Sequence, residues 1–481
     1  TTALCSRPGF APRPPPATTQ VRLSLHRLQY CRDCLRKQQE IDRLQEENAR
    51  LKDRLRYQER NAKEAPIGSS TPSAKRVLKP NSLEDNQRKK GGAKPGHAGA
   101  GRHPPQPEEV TRTQRVLGPQ ECPDCGARLR AKGFKRRTVI DVVPVQKEVL
   151  VYELEQGDCP RCHRVFTAPA PGVFAKGLFG NRLLAYVAEE HYVYGTTMGR
   201  LARQLGLHRG SLLGALHDLA ARLESVLDRL VEEYRRAPVK HADETGWRND
   251  GQNGYAWLFC TPLLSLFRFR QSRSAKVALE VVGPRRLPGT LVVDRYAGYN
   301  KVLCALQYCY AHLLREVEDL GKEFAQQTEV QRFVETLAPL LAQAMKLRTQ
   351  GLKLKEFHRQ ARQIKAQILE GVQIQAQHPG IQRIQNLFRE NAARLYHWAR
   401  HPTIPAENNR AERELRPLVI ARKISFGSQS EQGLKTREVL MSVLHTLRKR
   451  TDDGFAAFTR ALDALAVNPT RNPYDLLFNS S

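Results

Sequence analysis

The sequence predicts a multidomain chain built around an α/β unit with an α-helical insertion, and three observations carry that prediction. Residues Val239, His241, Asp243 and Thr245 fall on one face of the stretch VKHADETGWR while Lys240, Ala242 and Glu244 fall on the other, the period of two of a β-strand. Two apolar runs, Tyr255 to Cys260 and Leu264 to Phe269, follow it, joined at Thr261 and Pro262 like a meander, and a fourth run, GTLVV, ends at Asp294. Ahead of these strands lie three Cys-x-x-Cys pairs, Cys31–Cys34, Cys122–Cys125 and Cys159–Cys162, and behind them a long stretch of helical periodicity.

Composition narrows the class of partner. The 481 residues suggest roughly three or four folding units. A net charge of +29 points to a polyanion, because Lys and Arg that replace counterions on nucleic acid gain affinity from their release. The rival reading is a basic protein of the membrane surface. No apolar run approaches the roughly 20 residues that span a bilayer, and AWLFCTPLLSLF is broken by Pro262. The first thirty residues lack the apolar core of a signal peptide, so a cytosolic protein is expected.

Taken in order, residues 1–28 are Pro-rich and are expected to be disordered, since they offer little apolar surface to offset ordering entropy. In 29–62, Ile41, Leu44, Asn48, Leu51 and Leu55 recur at intervals of three and four, the seam of a coiled coil with Asn48 setting register. A single exposed amphipathic helix fits the same pattern. Cys31 and Cys34 have no second pair nearby. Residues 63–110 form a Gly/Pro-rich basic linker in which Lys89, Lys90, Lys94 and Arg102 are candidates for contact with the phosphate backbone or minor groove. A solvated tail is the plainer reading.

The module over 111–172 is expected to bind zinc. Cys122, Cys125, Cys159 and Cys162 flank the alternating stretches RTVIDVVP and KEVLVYELE, which can pair as a hairpin between two knuckles in the manner of a zinc ribbon. Four thiolates suit a closed, tetrahedral and therefore structural Zn2+ site. Residues 173–236 read as helical. Within them Gly206 sits near a turn and His208, Arg209 and Ser211 open a second helix, the spacing of a helix-turn-helix or of an ordinary helical hairpin.

The α/β part begins at 237–324. Ser274 is placed to cap a helix running through Val282 and stopping at Gly283. QYCYAHLLREVEDL reads as a short strand running into a helix. Residues 325–403 show at least three amphipathic helices, with Val330, Phe333, Val334, Leu337, Leu340 and Leu341, then Ile381, Ile384, Leu387 and Phe388, as their apolar faces. Residues 404–481 hold a polar helix with Glu412 and two further helices, around Leu434 to Lys449 and Phe455 to Ala466.

Two strands that each deliver a carboxylate near one end suggest a shared metal site, with Glu412 as a third ligand. Magnesium takes oxygen ligands and is commonly held by a few carboxylates together with substrate phosphates. The plainer reading is that Asp243 and Asp294 serve turn chemistry or surface ion pairs.

The segments HADETGWR, LVVDRYAGY, CYAHLLRE and ENNRAERELRP occur in this order and resemble the IS66 family of insertion-sequence transposases, which belong to the DDE class. The likeness runs from about residue 35 to 465. It implies a ribonuclease H-like catalytic domain, with Asp243, Asp294 and Glu412 as the catalytic acids holding Mg2+ (or Mn2+), and favours the zipper and the helix-turn-helix. It implies nicking and strand transfer on double-stranded DNA, both element ends and target, by a homodimer or larger assembly in the bacterial cytoplasm near the nucleoid. It leaves room for accessory transposition proteins. His312 and Arg315 are expected to face the site or the DNA, with Cys309 packed in the core, while Arg413, Arg416, Arg422 and Lys423 are expected to offset phosphate charge. The chain departs from the family at Glu407, where Asp usually precedes Asn-Asn, and at Leu314, where Arg is usual. Glu407 is thus a rival third ligand. A catalytically silent DNA-binding regulator is the alternative from another class.

Overall fold

The computed structural model describes residues 36–37, 39–45, 47–48, 110, 113, 121, 124–128, 145–158, 160, 163 and 165–479. The chain divides into two compact units, Thr1–Ala65 and Pro66–Ser481. In the first, every described residue is helical, and Ile41 and Leu44 of the expected seam are exposed. Leu51 and Leu55 lie outside the described residues, as do the Pro-rich start and Lys89, Lys90, Lys94 and Arg102.

Among the described residues of the second unit the first strands are a short antiparallel pair, β1 (Gln156–Asp158) and β2 (Val165–Thr167), on either side of the last Cys-x-x-Cys pair in the sequence. The expected hairpin is corrected in one arm: residues 147–155 belong to no strand, and Val149, Leu150 and Val151 are exposed. Alternation makes a strand only where a neighbour supplies the hydrogen bonds. RTVIDVVP, its expected partner, lies outside the described residues.

Four helices follow: α1 (Asn181–Tyr192), α2 (Met198–Leu205), α3 (Arg209–Leu223) and α4 (Val226–Arg236). The turn between α2 and α3 is closed by Gly206 at φ 60°, a left-handed cap that glycine adopts without a Cβ penalty. Met198, Leu201, Leu205, Leu212, Leu216 and Leu219 form the buried faces of this pair.

The central sheet has five strands: β3 (Val239–Asn249), β4 (Gln252–Cys260), β5 (Ser265–Arg270), β6 (Thr290–Val293) and β7 (Ala305–Tyr308), in spatial order β5-β4-β3-β6-β7. The first three pair antiparallel and the last two join in parallel. The helix α5 (Ala275–Val282), with Ser274 and Gly283 at its ends, makes the crossover, although the Ser274 side chain makes no cap bond. Gly289 lets β6 start against β3: at φ 76°, a Cβ there would lie 2.1 Å from the Pro238 carbonyl oxygen. Buried Lys240 is satisfied by the carbonyls of Ala237 and Pro288.

After β7 comes α6 (Tyr310–Glu323), then the helical insertion α7 (Thr328–Leu347), α8 (Leu354–Gln373) and α9 (Pro379–Glu390), with a short α10 (Ala392–Leu395). The insertion buries Val330, Phe333, Leu337 and Leu341 on α7 and Ile381, Ile384, Leu387 and Phe388 on α9. Val334 and Leu340 are only half-buried. The chain ends with α11 (Asn409–Ser425), α12 (Glu431–Arg450), α13 (Gly454–Val467) and α14 (Pro473–Phe478).

α12 lies along β5 and answers the edge-strand problem with side chains. The backbone N–H groups of Ser265, Phe267 and Phe269 donate to Thr446 Oγ1 (3.0 Å), Ser442 Oγ (2.9 Å) and Glu438 Oε2 (3.1 Å). Two residues of strand rise roughly 6.8 Å and four of helix roughly 6 Å, so an i, i+4 polar stripe keeps step with every second strand residue. An open edge that would otherwise template another chain is thereby closed.

Candidate active site

Asp243 lies within β3, and Asp294 immediately follows β6. The offset that pairs Val239 with Thr290 and His241 with Val292 also relates Asp243 to Asp294. Parallel pairing thus brings the two aspartates to one level on neighbouring segments of the chain. Each spends one oxygen locally: Asp243 Oδ1 accepts from the Glu244 N–H (2.9 Å) and Asp294 Oδ1 from the Tyr296 N–H (3.1 Å).

Glu412 arrives from the first turn of α11, and Asn408, the residue at the N-cap of that helix, sets its entry. Asn408 is buried, and its side chain does not cap the helix. Its Nδ2 donates to the Ala242 carbonyl (2.9 Å), its Oδ1 meets His241 Nδ1 (2.9 Å), and its backbone N–H reaches Cys309 Sγ (3.1 Å). One side chain therefore ties the start of α11 to the residues just before Asp243. Cys309 is fully buried and its thiol is pushed up to about 12 by burial, in keeping with a packing role.

His312 is on α6 with Nδ1 3.8 Å from Glu412 Oε1; both atoms are buried and neither has a hydrogen-bond partner. Cys309, His312 and Glu412 each offer an atom within 4.8 Å of the others. Glu407 Oε2 is also buried without a partner, and Arg348 and Arg413 are the cationic charges acting on it.

Burial dominates the electrostatics, and crowded carboxylates add to it. Burial, followed by the charges of Glu244, Asp294 and Glu412, holds the Asp243 carboxyl well above its usual range. Burial and then Glu244 push Asp294 up to about 7. Burial lowers His312, against the pull of Glu412 and with help from Arg315 and Arg295. Glu244 faces the other way. Its carboxylate accepts from Arg273 Nη2 (2.8 Å) and Tyr299 Oη (2.5 Å). The two aspartates are carboxylate donors of the kind a hard divalent cation takes, whereas the ligand atoms grouped with the unpaired Glu412 oxygen are a His312 nitrogen and the Cys309 sulfur.

Of the expected DNA contacts, Arg209 and Ser211 are exposed at the start of α3, Arg315 is exposed on α6, and Arg413, Arg416 and Lys423 are exposed on α11. Arg422 is spent inside the protein, donating from Nη1 to Thr245 Oγ1 (3.1 Å) and the Gly246 carbonyl (2.5 Å). Of the four expected zinc ligands only Cys125 is among the described residues, exposed in a turn beside the Glu121–Arg128 bridge. Asn408 and Arg273 were not singled out by sequence reasoning. Asn before a helix is an N-cap signal, but its tertiary partners leave no mark in the local sequence.

The model for the IS66 transposase family matches residues 176–436, more than half of the chain, and that for the zinc-finger binding domain of transposase IS66 matches residues 119–163. Among curated proteins, the chain is similar to three uncharacterized proteins of Sinorhizobium fredii. It is 24% identical to y4jD over 411 residues, covering 76% of this chain and 78% of that protein. It is 24% identical to y4qI over 400 residues (74% and 73%) and 20% identical to y4hP over 423 residues (78% and 76%). Among the described residues no helix is long and apolar enough to cross a membrane.

Proposed function

Since the chain belongs to the IS66 transposase family, we propose that it is a DDE-type DNA transposase whose Asp243, Asp294 and Glu412 hold two Mg2+ (or Mn2+) ions. Two observations support this reading: Asp243 and Asp294 stand at one level of the β3–β6 register, and the Glu412 charge acts on Asp243, while the ligand atoms that gather within 4.8 Å among the described residues are those of Glu412, His312 and Cys309. The sheet order, three antiparallel strands followed by two parallel ones, supports a ribonuclease H-like core over 237–324 and 404–481, interrupted by the 325–403 insertion.

When bound, paired divalent ions offset charge on both the attacking and the leaving oxygen of an in-line phosphoryl displacement. The chain's own residues orient that chemistry. β3 and β6 fix the two aspartates, Asn408 fixes the approach of Glu412, and His312 limits where the Glu412 carboxylate can turn. In the first step a water oxygen bonds to phosphorus at the element's end and the 3′ oxygen leaves, taking up a proton. In the second that 3′ hydroxyl attacks a target phosphodiester, so one P–O bond forms as another breaks.

The α2–α3 pair, with Arg209 and Ser211 exposed at its second helix, supports a helix-turn-helix that reads the element ends. Cys122, Cys125, Cys159 and Cys162 would hold structural Zn2+ within the matched zinc-finger segment. The helical residues of 29–62 would pair subunits, since joining two ends requires at least a dimer. The basic arm with Lys89, Lys90, Lys94 and Arg102 would add phosphate contacts. The protein would act in the cytoplasm, near the nucleoid.

The test is Mg2+-dependent nicking of element-end DNA by wild type and Asp243→Ala. Nicking that vanishes in the variant while DNA binding persists supports the reading. Equal nicking by both removes the site, and binding without nicking by wild type favours a silent regulator.

A further inference from the structure

Beside the acids lies a cleft lined by two arginines that the two-ion chemistry leaves unused. Arg295 follows Asp294 and forms an ion pair with Glu316 Oε1 on α6, while Arg383 on α9 reaches the other oxygen, Glu316 Oε2, at 3.4 Å. One carboxylate thus serves two guanidinium groups. Both arginines line an open cleft of about 470 Å³ between the loop after β6 and the insertion helix, together with Gln382, Asn386, Asn391 and Glu390.

Two guanidinium groups converge here on the single carboxylate of Glu316, and Glu390 is the one acid in the cleft's own lining. Arg295 Nε is buried with no hydrogen-bond partner. Guanidinium groups match phosphate in geometry, and an anion with several acceptor oxygens can offer Arg295 the acceptor that Glu316 leaves it without. Arg295 also acts through its charge on Asp294 and His312, so the same guanidinium borders both the acid site and the cleft. The insertion supplies the far wall, and its amides offer neutral donors and acceptors.

We propose that this cleft is a subsite for a DNA phosphodiester flanking the one that is cleaved, gripped between Arg295 of the core and Arg383 of the insertion. The proposal rests on the DNA transposase reading and gives the helical insertion a role, that of holding the strand that enters the acid site.

The test uses the full chain and element-end DNA in which single phosphates near the cleavage position are replaced by neutral methylphosphonates. For wild type, one position within about two nucleotides of the cleaved bond should weaken binding roughly tenfold or more. In Arg383→Ala that position should cost clearly less than in wild type, since only Arg295 still meets the phosphate, and the slope of log affinity against log salt should fall by up to about 0.9, the contribution of one phosphate contact. Arg383→Lys should restore the slope. Wild-type binding that is indifferent to every flanking methylphosphonate overturns the subsite without reference to any variant. So does Arg383→Ala binding with an unchanged slope and an unchanged methylphosphonate profile. A wild-type protein that fails to bind element ends at all overturns the transposase reading, and the subsite with it.

Discussion

The Asn408 side chain donates to the Ala242 carbonyl at 2.9 Å, one residue before Asp243, and so couples the first turn of the Glu412 helix to the strand that carries the first acid. The same amide oxygen meets His241, and the same residue's N–H meets Cys309. Three elements that the chain order keeps far apart are joined by one buried amide.

Asn408→Ala should therefore damage function out of proportion to its size. Leaving the Ala242 carbonyl unpaired costs roughly 1–3 kcal/mol. Because Glu412 rides on the freed helix, Mg2+-dependent nicking should fall by more than tenfold, a shift of about 1.4 kcal/mol in the barrier. Single-turnover nicking at saturating DNA, set beside a urea melt, measures both; unchanged nicking in a folded variant would refute the positioning role.

The polar stripe on α12 makes a second expectation. Ser442→Ala and Thr446→Val each strip a buried strand N–H of its acceptor, at Phe267 and Ser265 respectively. Each should destabilise the protein by about 1–3 kcal/mol, and Thr446→Val does so with little change of volume. Chemical denaturation reads the loss, and light scattering should report increased association through the uncovered β5 edge.

Glu244 forms a buried ion pair with Arg273, the Glu side chain being 0% exposed and the Arg side chain 13%. Glu244→Ala should cost roughly 3–5 kcal/mol, because it leaves a guanidinium buried without its carboxylate. Glu244→Gln keeps an acceptor for Tyr299 and should cost less. The ranking of the two denaturation midpoints is the check.

Acid should loosen the packing of α12 on α1. His191, lowered to about 4 by burial and then by Arg437, and His445, lowered to about 4 by burial, remain neutral in the fold. Unfolded, each protonates near 6.5, so the unfolded state binds more protons below that pH. The stability each confers is complete above pH 6.5 and is lost as pH falls toward 4, about 2 kcal/mol per group at pH 5. Thermal melts from pH 7 to 5 should fall more steeply for wild type than for His445→Gln.

Local sequence was enough wherever a physical period or a ligand spacing is local. The period of two in 239–245 marks the strand Val239–Asn249, and the apolar faces at Val330–Leu341 and Ile381–Phe388 mark insertion helices. The Gly206 turn and the paired cysteines are legible for the same reason, since backbone handedness and bite distance depend on residues only a few positions apart. KEVLVYELE shows the limit: alternation alone did not make a strand where no partner strand is described.

Only the tertiary structure decided which distant groups meet. The register of β3 on β6 levels Asp243 with Asp294, Asn408 ties the start of the Glu412 helix to β3, α12 closes the β5 edge, and Glu316 is shared between Arg295 and Arg383. Each of these contacts is made by side chains whose own sequence neighbours look ordinary. Their energies arise from burial and from charges or hydrogen bonds supplied by other parts of the chain, and these exist only once the fold has formed.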